Sequence, residues 1–165
     1  MSEFDPVGTV SFFRERHRVE SATTATVLLA MPEELLAYSP QPASSTAGTT
    51  AWTIVRCLRL CNQLVHSALA EVSHEAHPKH NELFVAFEIE GRLLATSLLE
   101  MNQHDWRAER RVTSGKHLLL RQPLGQIFWL FHVDAIHHRG QISTYLRGFG
   151  AKIPSIFGPS GDSPA

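Results

Sequence analysis

The sequence predicts an all-α fold: a bundle of four long helices forming one domain. Three observations lead there. Four stretches repeat apolar residues at steps of three and four. Breaks rich in Pro, Gly and Ser separate them. No strand-like alternation of apolar and polar residues lies between the helical stretches. The length agrees, since 165 residues suit a single domain over 1–165 with a sizeable core.

The first helix is expected over residues 9–31, with Phe13, His17, Glu20, Thr24, Val27, Leu28 and Met31 on one face. Pro32 interrupts it, residues 33–36 read as a short turn, and residues 39–50 read as a loop. The second helix is expected over 49–72, capped by Thr49 or Thr50. Its stripe is Ile54, Cys57, Leu58, Cys61, Leu64, Val65, Ala68, Leu69 and Val72, so both cysteines point inward and His66 outward. The third helix, over 80–102, carries Phe84, Phe87, Gly91, Leu94, Leu98 and Met101 as a bundle seam. Residues 104–122 are the least regular, with a short hairpin or extended piece around 118–120.

The fourth helix is expected over 123–149. Pro123 suits a first helical position, and Gly148 or Gly150 suits a C-cap. Its stripe is Leu124, Ile127, Phe128, Phe131, Asp134, Ala135, His138, Ile142, Tyr145 and Phe149. The tail, 151–165, holds Pro154, Gly158, Pro159, Gly161 and Pro164 and is expected to be irregular. Ile153, Ile156 and Phe157 are placed to pin its first half to the bundle.

The formal net charge of −1 makes no electrostatic case for nucleic acid or an anionic membrane. The run Arg107, Arg110 and Arg111 reads as a solvated loop. No stretch approaches the ~20 apolar residues of a membrane span. Met1 to Gly8 contains Glu3 and Asp5 and no signal pattern, so a cytoplasmic location is expected. Cys57 and Cys61 lie one helical turn apart, with Cβ atoms ~5–6 Å from each other, too far for an unstrained disulfide. Both are expected to be free thiols in a reducing compartment.

Asp134 and His138 carry the chemistry. Four apart on a helix, they emerge from one face and interrupt the apolar stripe between Phe131 and Ile142. A carboxylate on a core face is costly unless it is paired or metal-bound. Three readings fit. His138 is protonated and paired with Asp134; both bond to buried water or another helix; or both coordinate a divalent metal.

The string His137-His138-Arg139-Gly140-Gln141, then Tyr145-Leu146-Arg147, Gly150, Pro154 and Ile156-Phe157-Gly158-Pro159-Ser160, resembles the C-terminal signature of the DinB family. Met31-Pro32-Glu33-Glu34-Leu35-Leu36 and Thr50-Ala51-Trp52-Thr53-Ile54-Val55-Arg56-Cys57-Leu58 resemble, more weakly, the turn after that family's first helix and the start of its second. The resemblance implies a DinB/YfiT-like four-helix bundle with a long crossover connection. It also implies a metal site built from a second-helix His and two residues four apart on the fourth helix, usually both His. By position these fall on Cys57, Asp134 and His138, a set that suits Zn²⁺ or Ni²⁺. Cys61, one turn below Cys57, reads as core, and Cys57 itself reads equally as an inert buried thiol.

His17 and Glu20 are additional candidates facing the same cavity, though each is more often a surface or boundary residue. Gln141 and Tyr145 border the stripe and can support His138 from behind. His137 flanks the stripe, His132 is expected on the far face, and Arg139 is expected to face away from His138 toward a carboxylate or the tail. The resemblance implies an enzyme that uses a divalent metal to activate a low-molecular-weight thiol, such as mycothiol, bacillithiol or glutathione, in S-transfer. The substitutions at Cys57 and Asp134 favour the opposing reading: a non-catalytic bundle with a degenerate metal site, acting in binding or as a stress-associated homodimer. A third reading needs only a small-molecule pocket beside Asp134 and His138.

Overall fold

The computed structural model describes residues 8–162. Glu3, Asp5 and Pro164, used in the reading above, lie outside the described residues. The order is α1 (Val10–Leu29), a 3-10 turn (Glu33–Ala37), α2 (Ala47–His66), β1 (Leu69–Glu71), α3 (His80–Glu100), α4 (Gln103–Arg107), β2 (Glu109–Ser114), β3 (His117–Pro123) and α5 (Leu124–Phe149). The protein is therefore mainly helical, and the strictly all-α expectation is corrected by a three-stranded sheet.

Local chemistry sets the helix ends. The Thr9 hydroxyl accepts the Phe12 N–H at 3.2 Å and starts α1. Thr46, not Thr49 or Thr50, starts α2, its hydroxyl accepting the Thr49 N–H at 3.2 Å. Gly150 ends α5 in the left-handed conformation, φ 85°, which releases the chain at little cost because glycine lacks a Cβ.

The largest departure from expectation follows α2. The helix stops at His66, although its apolar pattern runs on to Val72. Leu69–Glu71 instead pairs parallel with β2, setting Ala70 opposite Val112, both buried. β2 pairs antiparallel with β3 around a turn at Gly115, φ 56°. The Glu71 carboxylate accepts the Gly115 N–H at 2.6 Å and binds the Thr113 hydroxyl, tying β1 to the hairpin tip. Periodicity alone does not reveal this partner, because it comes from forty residues away in the chain.

The four long helices pack around one core: α1 on α3 and α5, and α2 on α3 and α5. The α2 and α3 helices run in the same direction. Asn62 donates to the Glu90 carbonyl at 3.0 Å and to its carboxylate at 2.8 Å, while His66 lies near Ser97 and Met101. Residues 67–79 must therefore carry the chain back along the bundle, the long crossover that the resemblance implies. The Phe13 ring packs on Trp106 at 5.1 Å and on Phe128 at 5.7 Å between centroids. Such pairs add about 0.5–1.5 kcal/mol each beyond area burial.

The inner face of α5 is rotated from the expected stripe. Its buried residues include Leu124, Ile127, Phe128, His132, Arg139, Ile142, Tyr145 and Leu146. Asp134 and His138 sit on the flank, and Phe149, expected inside, is exposed. Ile153 is buried and pins the tail, whereas the Phe157 ring is exposed on its outer side and covers the Arg139 guanidinium at 5.2 Å.

Candidate functional site

Cys57 on α2 and Asp134, His138 and Gln141 on α5 form one chain of polar contacts. The Cys57 thiol donates to Asp134 Oδ2 at 3.6 Å. His138 Nε2 faces the same oxygen at 3.4 Å, and His138 Nδ1 bonds Gln141 Oε1 at 2.8 Å. Because a carboxamide oxygen only accepts, that contact puts a proton on Nδ1. The Nε2–Oδ2 contact is then attractive when Nε2 also carries a proton, or when a cation lies between the two atoms.

The chain is not a core feature. The Asp134 and His138 side chains are 43% and 20% exposed, so the carboxylate retains much of its hydration. The expected costly, buried carboxylate is thereby corrected. Cys57 is buried, and its thiol is pushed up to about 12, by burial first and the Asp134 charge second. At neutral pH it is a protonated hydrogen-bond donor, not a thiolate. Cys61 is wholly enclosed and is pushed up for the same first reason.

Tyr145 does not support His138. It is buried two turns further along α5, its ring packing edge-on against Tyr38 at 6.1 Å. His17 and Glu20 are buried, not boundary residues. They line an interior cavity of about 30 Å³ together with Cys57, Cys61 and His132, but Asp134 and His138 do not line it. Glu20 is already engaged, its carboxylate binding Arg139 at 2.8 Å and Arg16 at 2.6 Å.

His132, expected on the far face, is buried. Its ring lies 5.4 Å from Phe13 and 5.9 Å from His17, centroid to centroid. Burial lowers both imidazoles to about 4; the Glu20 charge partly opposes this at His132, and His132 reinforces it at His17. Both are neutral at physiological pH. His137 is exposed, as the flank reading expected.

The DinB family sequence profile matches residues 7–163. The chain belongs to the DinB family. No curated protein matches it. Among solved structures it is similar to a DinB-like protein from Bacillus cereus ATCC 10987, with TM-score 0.72, 18% identity, 88% of this chain and 95% of that chain covered. It is also similar to the DinB-like protein YjoA from Bacillus subtilis, with TM-score 0.68, 15% identity, and coverages of 87% and 96%. At these identities the likeness speaks for the fold.

The metal that the family resemblance implies can be tested against this donor set. Cys, Asp and His are sound ligand types, and two of their separations, 3.6 and 3.4 Å, match those between ligands of a tetrahedral ion. Yet among the described residues no three His, Cys, Asp or Glu side chains converge on a common point that suits an ion. Cys57 is also engaged as a hydrogen-bond donor to Asp134. The residues as arranged do not fit a ready three-ligand centre. Among the described residues no helix is long and apolar enough to cross a membrane.

Proposed function

We propose that this chain is a binding member of the DinB family, acting on a small molecule without metal-assisted group transfer. One observation carries the reading. The Cys57 thiol already donates to Asp134, at the second-helix position where relatives are expected to place a ligand, and His138 Nδ1 already bonds Gln141. Breaking the thiol's bond and removing its proton would oppose metal entry. The test is metal analysis of protein purified without an affinity tag, beside a His138→Ala variant. Less than a tenth of an equivalent in both is the expected result. One equivalent in the wild type, lost in the variant, overturns the reading.

A second reading keeps a Zn²⁺ or Ni²⁺ ion and a low-molecular-weight thiol. It is favoured by the geometry at His138, whose Nδ1 is tied to Gln141 while Nε2 faces a carboxylate oxygen, an arrangement that a cation satisfies as well as a proton does. Homodimerisation is the assembly we propose, supported by the exposed apolar side chains Phe12, Leu130 and Val133 on neighbouring helices α1 and α5. Light scattering that finds a monomer at micromolar concentration would rule it out.

A further inference from the structure

We propose that the groove between α1 and α3 binds a small amphipathic anion, an aliphatic carboxylate, with its head on Arg14 and its chain along the groove floor. The proposal rests on the binding reading above and names the ligand class and place.

The groove encloses about 430 Å³, within the range of small-molecule sites. It lies outside the Cys57–Asp134 chain. The α1 and α3 helices run antiparallel there: Gln103 bonds the Val10 N–H at 3.3 Å at one end, and His80 bonds the Leu28 carbonyl at 2.8 Å at the other. Arg14 consequently stands toward the same end as Leu98 and Leu99, and Ala25 toward the other. Eleven residues at 1.5 Å each separate Arg14 from Ala25, roughly 16 Å, enough for a medium-length acyl chain.

Charge selects the head group. Three guanidinium groups and two carboxylates rim the groove. Arg18 is paired with Glu15 at 2.7 Å and Arg92 with Glu88 at 3.3 Å. Arg14, half-buried, makes no direct ion pair among the described residues, although its charge also acts on Glu15. Three cations against two carboxylates leave the rim a net excess of one positive charge. A guanidinium binds a carboxylate through two parallel N–H donors.

Shape selects the tail. A Cβ placed on Gly91 would meet nothing within 4 Å, so the helix surface there opens onto empty space. Ala22, Ala25 and Ala95 leave the rest of the floor shallow and apolar. The inner wall is formed by His17, Ser21 and Phe87, which also line the interior cavity. His17 is neutral, so it presents no charge to an acyl chain.

The experiment is calorimetric titration of the full chain with decanoate, and with decylamine as the cationic counterpart. Decanoate binds and decylamine does not. Arg14→Ala weakens decanoate binding tenfold or more, as loss of a charge-assisted hydrogen bond predicts. Gly91→Phe abolishes binding, while Gly91→Ala retains it, and thermal melts confirm that each variant folds. Absence of decanoate binding overturns the proposal, as does equal binding of decylamine. Binding unaffected by both Arg14→Ala and Gly91→Phe overturns the groove but leaves the binding reading standing. Light scattering in which Gly91→Phe turns a dimer into a monomer also overturns it, since the groove is then an interface between copies. Stoichiometric metal in the tag-free protein would overturn the binding reading without altering this titration.

Discussion

Arg139 Nη1 lies 2.8 Å from Glu20 Oε2, with both side chains almost wholly buried. The same nitrogen reaches the Glu20 carbonyl at 3.3 Å and the Thr24 hydroxyl at 3.4 Å. This pair joins α1 to α5 at the centre of the bundle. Removing Glu20 leaves the buried Arg139 charge uncompensated, at a cost of about 3–5 kcal/mol, whereas removing Arg139 leaves Glu20 its pair with Arg16. Glu20→Leu alone should lose about that much stability in urea unfolding, and Arg139→Met less. The double variant should recover much of it, because an apolar pair of similar volume carries no desolvation cost. Additive losses in the double variant would show that the pair is not coupled.

Acid should destabilise the fold through His17 and His132. Their folded values are about 4, lowered chiefly by burial, against ~6.5 when unfolded. Between those values the unfolded chain binds more protons, so stability is complete above about pH 6.5 and is lost as pH falls toward 4. The ceiling is roughly 3–4 kcal/mol per histidine, less where the ring keeps some hydration. Unfolding free energies measured across this window should fall with acid, and a His132→Gln variant should flatten the slope. A pH-independent stability from about pH 7 to 5 would contradict the burial of both rings.

Both cysteines should resist alkylation while the protein is folded. The thiol, not the thiolate, is the stable form of Cys57, pushed up to about 12 by burial and then by the Asp134 charge. Iodoacetamide labelling followed by mass spectrometry should show slow modification that accelerates in denaturant. Asp134→Asn should speed Cys57 modestly, since burial remains the first cause. Rapid labelling of native Cys57 would indicate an accessible thiolate.

Gly150→Val should cost about 1 kcal/mol or more in thermal unfolding, because the C-cap of α5 has φ 85° and a β-branched residue resists that conformation. An unchanged melting temperature would mean that the helix end relaxes freely.

The four long helices were legible because their apolar periodicity extends over many turns. The rotation of α5 was not. Phe128, His132, Ala135, Arg139, Ile142 and Leu146 follow steps of four and three, a regular seam. The stripe drawn through Asp134 and His138 hides it, although Arg139 does meet a carboxylate, Glu20, and the Phe157 ring of the tail, as expected. His132 falls on that hidden seam, buried among Phe13, His17 and Trp129. The hairpin expected around residues 118–120 is the β2–β3 pair. The third strand is hidden by distance: residues 69–71 continue the α2 pattern, and only pairing with β2 draws them away. Chain spacing puts Asp134, His138 and Gln141 on one side of α5, and the resemblance brings in Cys57, but that side is the flank and not the core-facing stripe. Exposure, which decides the cost of that carboxylate, depends on neighbouring helices that periodicity does not describe.

The most direct test of the binding reading is Co²⁺ titration of tag-free protein, followed by absorption spectroscopy. Thiolate ligation by Cys57 would give a near-ultraviolet charge-transfer band. No such band is expected at about pH 7, because Cys57 keeps its proton in a hydrogen bond to Asp134. A saturable band at one equivalent, absent in both Cys57→Ser and His138→Ala, would contradict the account and restore a metal centre at Cys57, Asp134 and His138.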